Sequence, residues 1–143
     1  MENFMHDVDK YQLGIIGVSN FNIKQLKALI NHPEKPHFWP FTVQNRFTAR
    51  NQWDKEVREF CQSKGIVYQG FSILTANRNV LQTKQIAAMA AKYKLTKQQV
   101  LIRFAVQLGI SVLIGSSDIV HITEDLMMRD ILLIAILLLD TKD

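Results

Sequence analysis

The chain alternates short, β-branched apolar runs with longer stretches of helical periodicity, and this alternation restricts the folds that it can adopt. Buried strands of a parallel sheet appear as unbroken apolar runs, whereas amphipathic helices repeat their apolar residues every three to four positions. Connections as short as these join successive parallel strands through right-handed crossovers. The expected strands cover residues 13–19, 41–45, 66–72 and 111–114. We therefore predict an α/β fold with four parallel strands and flanking helices.

Polar residues mark the starts of the expected helices. Asn22 with Gln25, and Thr96 with Gln99, have the spacing of a capping box, in which each side chain bonds the other residue's backbone N–H. Thr83 is expected to begin another helix, and residues 119–128 a last one. Apolar residues at helical spacing predict four helical faces: Ile23, Leu26, Leu29 and Ile30; Trp53, Val57, Phe60 and Cys61; Ile86, Ala90 and Tyr93; and Val100, Leu101, Phe104 and Leu108. The first of these helices is expected to end at Asn31, Pro33 and Pro36, the second at Gly65 and the fourth at Gly109.

The composition is that of one globular domain. Of 143 residues, 48% are hydrophobic and 21% charged, the balance of a soluble chain. The net charge of +4 is spread among acids without a basic run, which favours a modest attraction for anions and does not indicate a nucleic-acid partner. The single cysteine, Cys61, excludes an intrachain disulfide and fits a reducing, cytoplasmic location. We expect it to be buried and unreactive.

Neither end of the chain predicts a membrane segment. The first ten residues lack the basic region and the apolar core of a signal peptide. The run from Ile131 to Leu139 carries no charge, yet it is only about half as long as the roughly 20 residues that a spanning helix needs. Because the run is hydrophobic on every side, we expect it to lie against protein, with membrane contact as the less favoured alternative.

Five short motifs follow the expected strands in order: G-V-S-N-F, V-Q-N, F-S-I-L, I-G-S-S and I-T-E-D-L. Each is weak alone, but together they resemble the aldo-keto reductase family from about Tyr11 to Leu126. The resemblance implies the C-terminal half of that family's (β/α)8 TIM barrel, with the four strands as strands five to eight. It implies a single half-barrel domain over residues 1–143, in which residues 127–143 form a divergent apolar tail.

The resemblance also implies a site for a nicotinamide cofactor at the carboxyl ends of the strands, where (β/α)8 barrels have their active sites. Ser19, Asn20 and Gln44 would hydrogen-bond the nicotinamide carboxamide, which needs both donors and acceptors. Phe71 would stack on the nicotinamide ring in place of the family's usual tyrosine, since the flat aromatic face is kept. A Ser-Asn pair that only caps the next helix is the alternative for the first two residues.

Two further segments are implied to bind phosphate groups. Ser72 and Leu74 match a loop whose hydroxyl and backbone N–H groups bind the pyrophosphate. After the last strand, Gly115, Ser116 and Ser117 precede a helix start, where N–H groups and hydroxyls suit the phosphate on the adenosine ribose.

The resemblance implies that the contacts to the adenosine part of the cofactor lie on the last expected helix and directly before it. The family often has a lysine at the position of Gly115 and an arginine at that of His121, so both fixed positive charges are lost. His121 would pair with phosphate only when protonated, and a solvated surface histidine is an equal alternative. Glu124 and Asp125 match an acid–amide pair on adenine, although an aspartate cannot donate to a ring nitrogen. We expect NADP as the cofactor, with NAD as the alternative.

The family's proton-donor tyrosine and its supporting lysine, aspartate and histidine lie in the half of the barrel that this sequence does not match. Tyr11, Tyr68 and Tyr93 do not align with the donor, so we assign no catalytic residue and no metal ligand. We predict that this polypeptide alone reduces no carbonyl, because no acid is presented to the developing alkoxide.

Four strands leave both edges of a barrel sheet open. We therefore expect the chain to be unstable alone, to dimerise, or to pair with a chain that supplies the first half-barrel. Two other interpretations stay open: a non-catalytic nucleotide-binding or regulatory module, and a truncated gene product without activity. The substrate is not indicated.

Overall fold

A computed structural model of the protein describes residues 15–33, 39–115 and 118–127. Four strands form one sheet in chain order, and each neighbouring pair is parallel. This confirms the predicted fold class, since parallel strands with flanking helices are the pattern of a partial (β/α) barrel. The strands are β1 Gly17–Ser19, β2 Thr42–Arg46, β3 Val67–Phe71 and β4 Ser111–Val112.

The helices begin and end close to their predicted limits. Both capping boxes are confirmed: Asn22 Oδ1 accepts from the Gln25 N–H at 2.9 Å, and Thr96 Oγ1 accepts from the Gln99 N–H at 3.1 Å. The helices are α1 Ile23–Ile30, α2 Lys55–Lys64, α3 Arg78–Leu81, α4 Lys84–Tyr93, α5 Lys97–Gln107 and α6 Ile119–Met127, with 3₁₀ segments at Ala49–Asp54 and Thr75–Asn77.

Trp53 corrects one prediction, because it lies before α2 rather than on its apolar face. It stands in a left-handed turn between Gln52 and Asp54, with φ values of 55°, 59° and 53° along the three residues. Packing explains the position. The Trp53 ring lies 5.0 Å from that of Phe47 and 4.9 Å from that of Phe104, measured between centroids. The tertiary aromatic cluster, and not the helical period, therefore determines the backbone here.

Other boundaries differ by a few residues. β1 and β4 are shorter than predicted, and residues 13–14 of the expected first strand lie outside the described residues. The connection between β3 and α4 contains a 3₁₀ turn and the short helix α3. Asn77 stabilises this compact connection, because its buried amide donates to the carbonyl oxygens of Phe47 and Ile73 at 2.8 and 2.7 Å.

The sheet has one covered face and one open face. Helices pack on the covered face, where Val43 and Tyr68 are buried among apolar helical residues, and Cys61 is buried there as predicted. The residues on the other side of the alternating strands are exposed or half-buried. We call this side the open face; its strand residues are Gly17, Ser19, Thr42, Gln44, Arg46, Val67, Gln69, Phe71 and Ser111.

None of the described helices has both the length and the apolar character that crossing a membrane requires. The apolar run from Ile131 to Leu139, and Tyr11 near the start of the chain, lie outside the described residues.

Candidate functional site

The carboxyl ends of β1 and β2 bring together the three residues predicted to hold the carboxamide. Ser19 Oγ donates to the Gln44 carbonyl oxygen at 2.9 Å, and the Asn20 backbone N–H donates to the same oxygen at 3.0 Å. The Asn20 amide also donates to Ser19 Oγ at 3.3 Å. Asn20 has a φ of 59°, a left-handed conformation that asparagine tolerates better than most residues. The strand end therefore holds hydroxyl and amide groups in one polar cluster.

Gln69 extends this cluster across the open face, although the sequence analysis did not select it. Gln44 Nε2 donates to Gln69 Oε1 at 3.2 Å. The register aligns Ser19, Gln44, Gln69 and Ser111 in one row across the four strands. Period-two alternation from Phe71 was the signal that would have placed Gln69 on this face. The row offers hydrogen-bond donors and acceptors in a neutral setting, as an amide ligand needs.

Phe71 ends β3 on the same face, one step beyond this row, and its ring is half-buried. Its registered neighbour on β2 is Arg46, an exposed residue that the sequence analysis also missed. The Arg46 guanidinium carbon lies 5.3 Å from the centroid of the Phe71 ring, within the range of a cation–π contact. An aromatic surface and a positive charge therefore lie next to the amide row.

A cavity of about 550 Å³ lies beyond the ends of β3 and β4. Ser72, in a left-handed conformation with φ 57°, and Leu74 line it from the loop after β3. The start of α5 lines another side, through its cap residue Thr96 and through Gln98 and Gln99. Gly115 and His121 complete the wall, and a side chain on Gly115 would meet no atom within 4 Å.

The start of α6 differs from the expected anion site. The Asp118 carboxylate accepts from the Val120 N–H at 2.8 Å, which places a negative charge directly after the segment expected to bind phosphate. It also lies 3.9 Å from His121 Nδ1, an ion pair when the histidine is protonated. Ser116 and Ser117 lie outside the described residues, and so do the side chains of Glu124 and Asp125, whose backbone belongs to α6.

Tyr68 points away from this site, into the covered face. Its hydroxyl donates to Asp54 Oδ2 at 2.8 Å, and burial, followed by the negative charge of Asp54, raises its pKa far above the ordinary value. This tyrosine is therefore unsuited to donate a proton to a ligand on the open face. Among the described residues, no group of three or more histidine, cysteine, aspartate or glutamate side chains could hold a metal ion.

Comparison with known proteins shows the family of this chain. The sequence profile of the aldo/keto reductase family matches residues 8–134. The chain belongs to this family. Aldo-keto reductase family 1 member C23 from Equus caballus is 33% identical over 119 residues, covering 77% of this chain and 36% of that protein. Prostaglandin-E(2) 9-reductase from Oryctolagus cuniculus is 33% identical over 122 residues, covering 78% and 37%.

An uncharacterised oxidoreductase from Schizosaccharomyces pombe is 30% identical over 126 residues, covering 88% of this chain and 42% of that protein. The chain thus spans less than half the length of these curated aldo-keto reductases and oxidoreductases. The resemblance inferred from the five strand-end motifs is confirmed by the family match.

Proposed function

We propose that this chain is the cofactor-binding half of an NAD(P)H-dependent aldo-keto reductase, an oxidoreductase that reduces carbonyl compounds. The observation that carries the proposal is the row of hydroxyl and amide groups beside Phe71 at the carboxyl ends of the strands. This donor set fits a nicotinamide ring with its carboxamide, because the flat aromatic face and the neutral donors and acceptors lie together.

In this function the nicotinamide supplies the hydride, and the residues of this chain bind and orient the nicotinamide. Ser19, Asn20 and Gln44 hold the carboxamide and so fix which ring face is presented. Phe71 supports the ring by stacking. Ser72 and Leu74 line the cavity that would take the pyrophosphate, next to the start of α5.

We propose NADP as the cofactor, with little preference over NAD. Gly115 offers no charge, and the Asp118 carboxylate accepts from an N–H group at the start of α6. Among the described residues of this segment, His121 is the one that adds a positive charge, when it is protonated. Ser116 and Ser117 would add hydroxyl donors, and Glu124 with Asp125 would lie against adenine. The ratio of the dissociation constants for NADH and NADPH is therefore expected to lie within about tenfold, since the described residues 113–115 and 118–127 carry no lysine or arginine to discriminate the phosphate.

The proton donor is proposed to come from outside the described residues. Among the described strand residues, no tyrosine side chain lies on the open face. Tyr68 lies on the covered face, where its hydroxyl donates to Asp54. The catalytic tyrosine, lysine, aspartate and histidine of the family would come from a further half-barrel, on this protein or on a partner chain. A regulatory nucleotide-binding module is the second candidate, favoured by this same lack of a donor. We propose a cytoplasmic location for either function.

A titration with NADPH tests the proposal, with quenching of the fluorescence of Trp39 and Trp53 as the readout. Phe71→Ala and Gln44→Ala should each weaken binding about fivefold to tenfold, because stacking and one hydrogen bond contribute on this scale. Gln62→Ala is the matched control, since Gln62 is an exposed glutamine on α2, away from the open face. Saturable binding by the parent chain that is unchanged in all three variants would contradict the proposed site.

Activity distinguishes the two candidate functions. The chain alone should show no loss of NADPH absorbance with an aldehyde. Mixed with a first half-barrel that carries the four catalytic residues, it should gain carbonyl reductase activity if it is the half of an enzyme. Cofactor binding without any gain of activity would favour the regulatory module.

A further inference from the structure

Arg46 is the charged residue of the open face. Among the described strand residues on that face, every other side chain is neutral: hydroxyl, amide, aliphatic, aromatic or glycine. Arg46 ends β2, and its side chain is exposed. The two ion pairs found within the described residues, Lys55–Glu59 and His121–Asp118, do not involve it. A cation in such a setting attracts an anionic group of the ligand that occupies this face.

Phe71 gives the guanidinium a defined place. The guanidinium carbon lies 5.3 Å from the centroid of the ring, and this cation–π contact holds the guanidinium beside the amide row. Gln44 and Gln69 stand two positions earlier on the same strands and the same face, so their amides lie next to it in the sheet. A planar guanidinium with neighbouring amide donors matches a carboxylate, which accepts two parallel hydrogen bonds.

In the proposed function, the phosphates of the cofactor would lie elsewhere. The cavity beyond β3 and β4, which would take them, is not lined by Arg46. An anion bound at Arg46 would therefore belong to a second molecule. We propose that Arg46 binds the carboxylate of an acidic carbonyl substrate, such as an oxo acid, and so determines specificity next to the nicotinamide. This inference rests on the proposed function, because the carboxylate is taken as part of the molecule that is reduced.

Benzoate and benzamide test the proposal, since they share size and shape and differ in charge. Both are titrated into the full chain, followed by nuclear magnetic resonance shifts of the protein. The parent chain should bind benzoate about fivefold to tenfold more tightly than benzamide, as one charge-assisted contact at an exposed site allows. Arg46→Gln should abolish this preference and Arg46→Lys should keep part of it. Equal binding by the parent chain, or a preference retained in Arg46→Gln, would overturn the proposal.

Lys84→Gln is the control for charge, because Lys84 is an exposed cation on α4 and not on the open face, so the benzoate preference should be unchanged. NADPH titration of Arg46→Gln separates the two proposals: unchanged NADPH affinity supports a substrate role. An equal loss of NADPH and benzoate affinity would instead assign Arg46 to the cofactor phosphates and overturn it. Failure of the parent chain to bind NADPH contradicts the proposed function, whatever the benzoate result.

Discussion

Asp54 links three segments of the chain through one carboxylate. Its Oδ2 accepts from Tyr68 Oη and from Asn45 Nδ2, each at 2.8 Å. Asn45 in turn bonds the backbone of Phe21, donating to its carbonyl oxygen at 2.7 Å and accepting from its N–H at 3.0 Å. The network therefore connects β2, β3 and the turn after β1. It stabilises the corner that carries Asn20, so the covered face supports the candidate site on the open face.

Tyr68→Phe tests the strength of this link. The substitution removes a hydrogen bond to a charged group and leaves the ring in place, so it should lower the free energy of unfolding by about 1–3 kcal/mol. Urea unfolding followed by fluorescence gives the measurement. Asp54→Ala, which also leaves the Asn45 amide without this acceptor, should cost more. A Tyr68→Phe loss below about 0.5 kcal/mol would show that the network is unimportant for stability.

Cys61 gives the fold a dependence on alkaline pH. Burial, and then the negative charge of Asp54, raises the pKa of the Cys61 thiol to about 11. Below about pH 9 the thiol is protonated in both the folded and the unfolded chain, and stability is complete. Between about pH 9 and 11 only the unfolded chain loses this proton, so stability should fall by on the order of 2 kcal/mol.

Urea midpoints in reducing buffer, measured between pH 7 and 11, test this dependence. Cys61→Ala should start less stable and decline less steeply above pH 9. The decline should not vanish, since the raised pKa of Tyr68 acts in the same direction at higher pH. Equal slopes in the two proteins would contradict the prediction.

The sequence was informative about residues whose chemistry is local or carried by a motif. Asn22 and Thr96 cap their helices as their spacing predicts, and Ser19 and Gln44 meet at the strand ends. Gln69 was missed because its polar side chain sits in an apolar run, and its role depends on the registered neighbour on β2. Arg46 was missed for the same reason, since its cation–π contact depends on the registered Phe71. Asp118 is different: it bonds the N–H of Val120 two residues on, so an aspartate directly before the helix was the local signal that could have indicated it.

At the scale of elements, the segment before α2 was the part of the fold that local patterns could not predict. Gln52, Trp53 and Asp54 all have positive φ, and a left-handed conformation costs a residue with a side chain about 1–2 kcal/mol. Burial of Trp53 in the aromatic cluster and the bonds of Asp54 offset this cost. Both compensations come from distant parts of the chain, so neither propensity nor period indicates them.

Gln52→Gly isolates the backbone contribution of this segment. Gln52 is exposed and has a φ of 55°, so glycine relieves the steric cost without removing a buried contact. We expect the free energy of unfolding to rise by up to about 1 kcal/mol. The gain is smaller than the steric cost that is relieved, because glycine raises the conformational entropy of the unfolded chain. Trp53→Gly, at the next position, should destabilise strongly because the aromatic cluster loses its central ring. A destabilised Gln52→Gly variant would contradict the account.

At the scale of the whole molecule, the described part of the sheet presents two open edges and an open face. β1 and β4 each pair on one side only within the described sheet. The row of Ser19, Gln44, Gln69 and Ser111 makes the open face polar, so exposure of this layer to water costs less than exposure of an apolar barrel interior. The edges are the greater liability, because their unpaired N–H and C=O groups are templates for another strand.

Two copies could satisfy both edges if β4 of each lies beside β1 of the other, which would give eight parallel strands in a closed, two-fold symmetric barrel. We therefore expect the chain to sediment at micromolar concentration with about twice its mass of 16.5 kDa. A monomer that unfolds cooperatively would contradict this expectation.

Val112 tests the edge directly. The Leu113 N–H donates to the Gly70 carbonyl oxygen at 2.8 Å, so the N–H of Val112 points the other way, towards the open edge. Val112→Pro removes this donor and should weaken dimerisation at least about tenfold, since proline cannot donate to a neighbouring strand. Val112→Ala loses the side chain yet keeps the N–H, and it should remain dimeric. Equal weakening in both variants would show that packing of the Val112 side chain, and not pairing of strand edges, holds the two copies together.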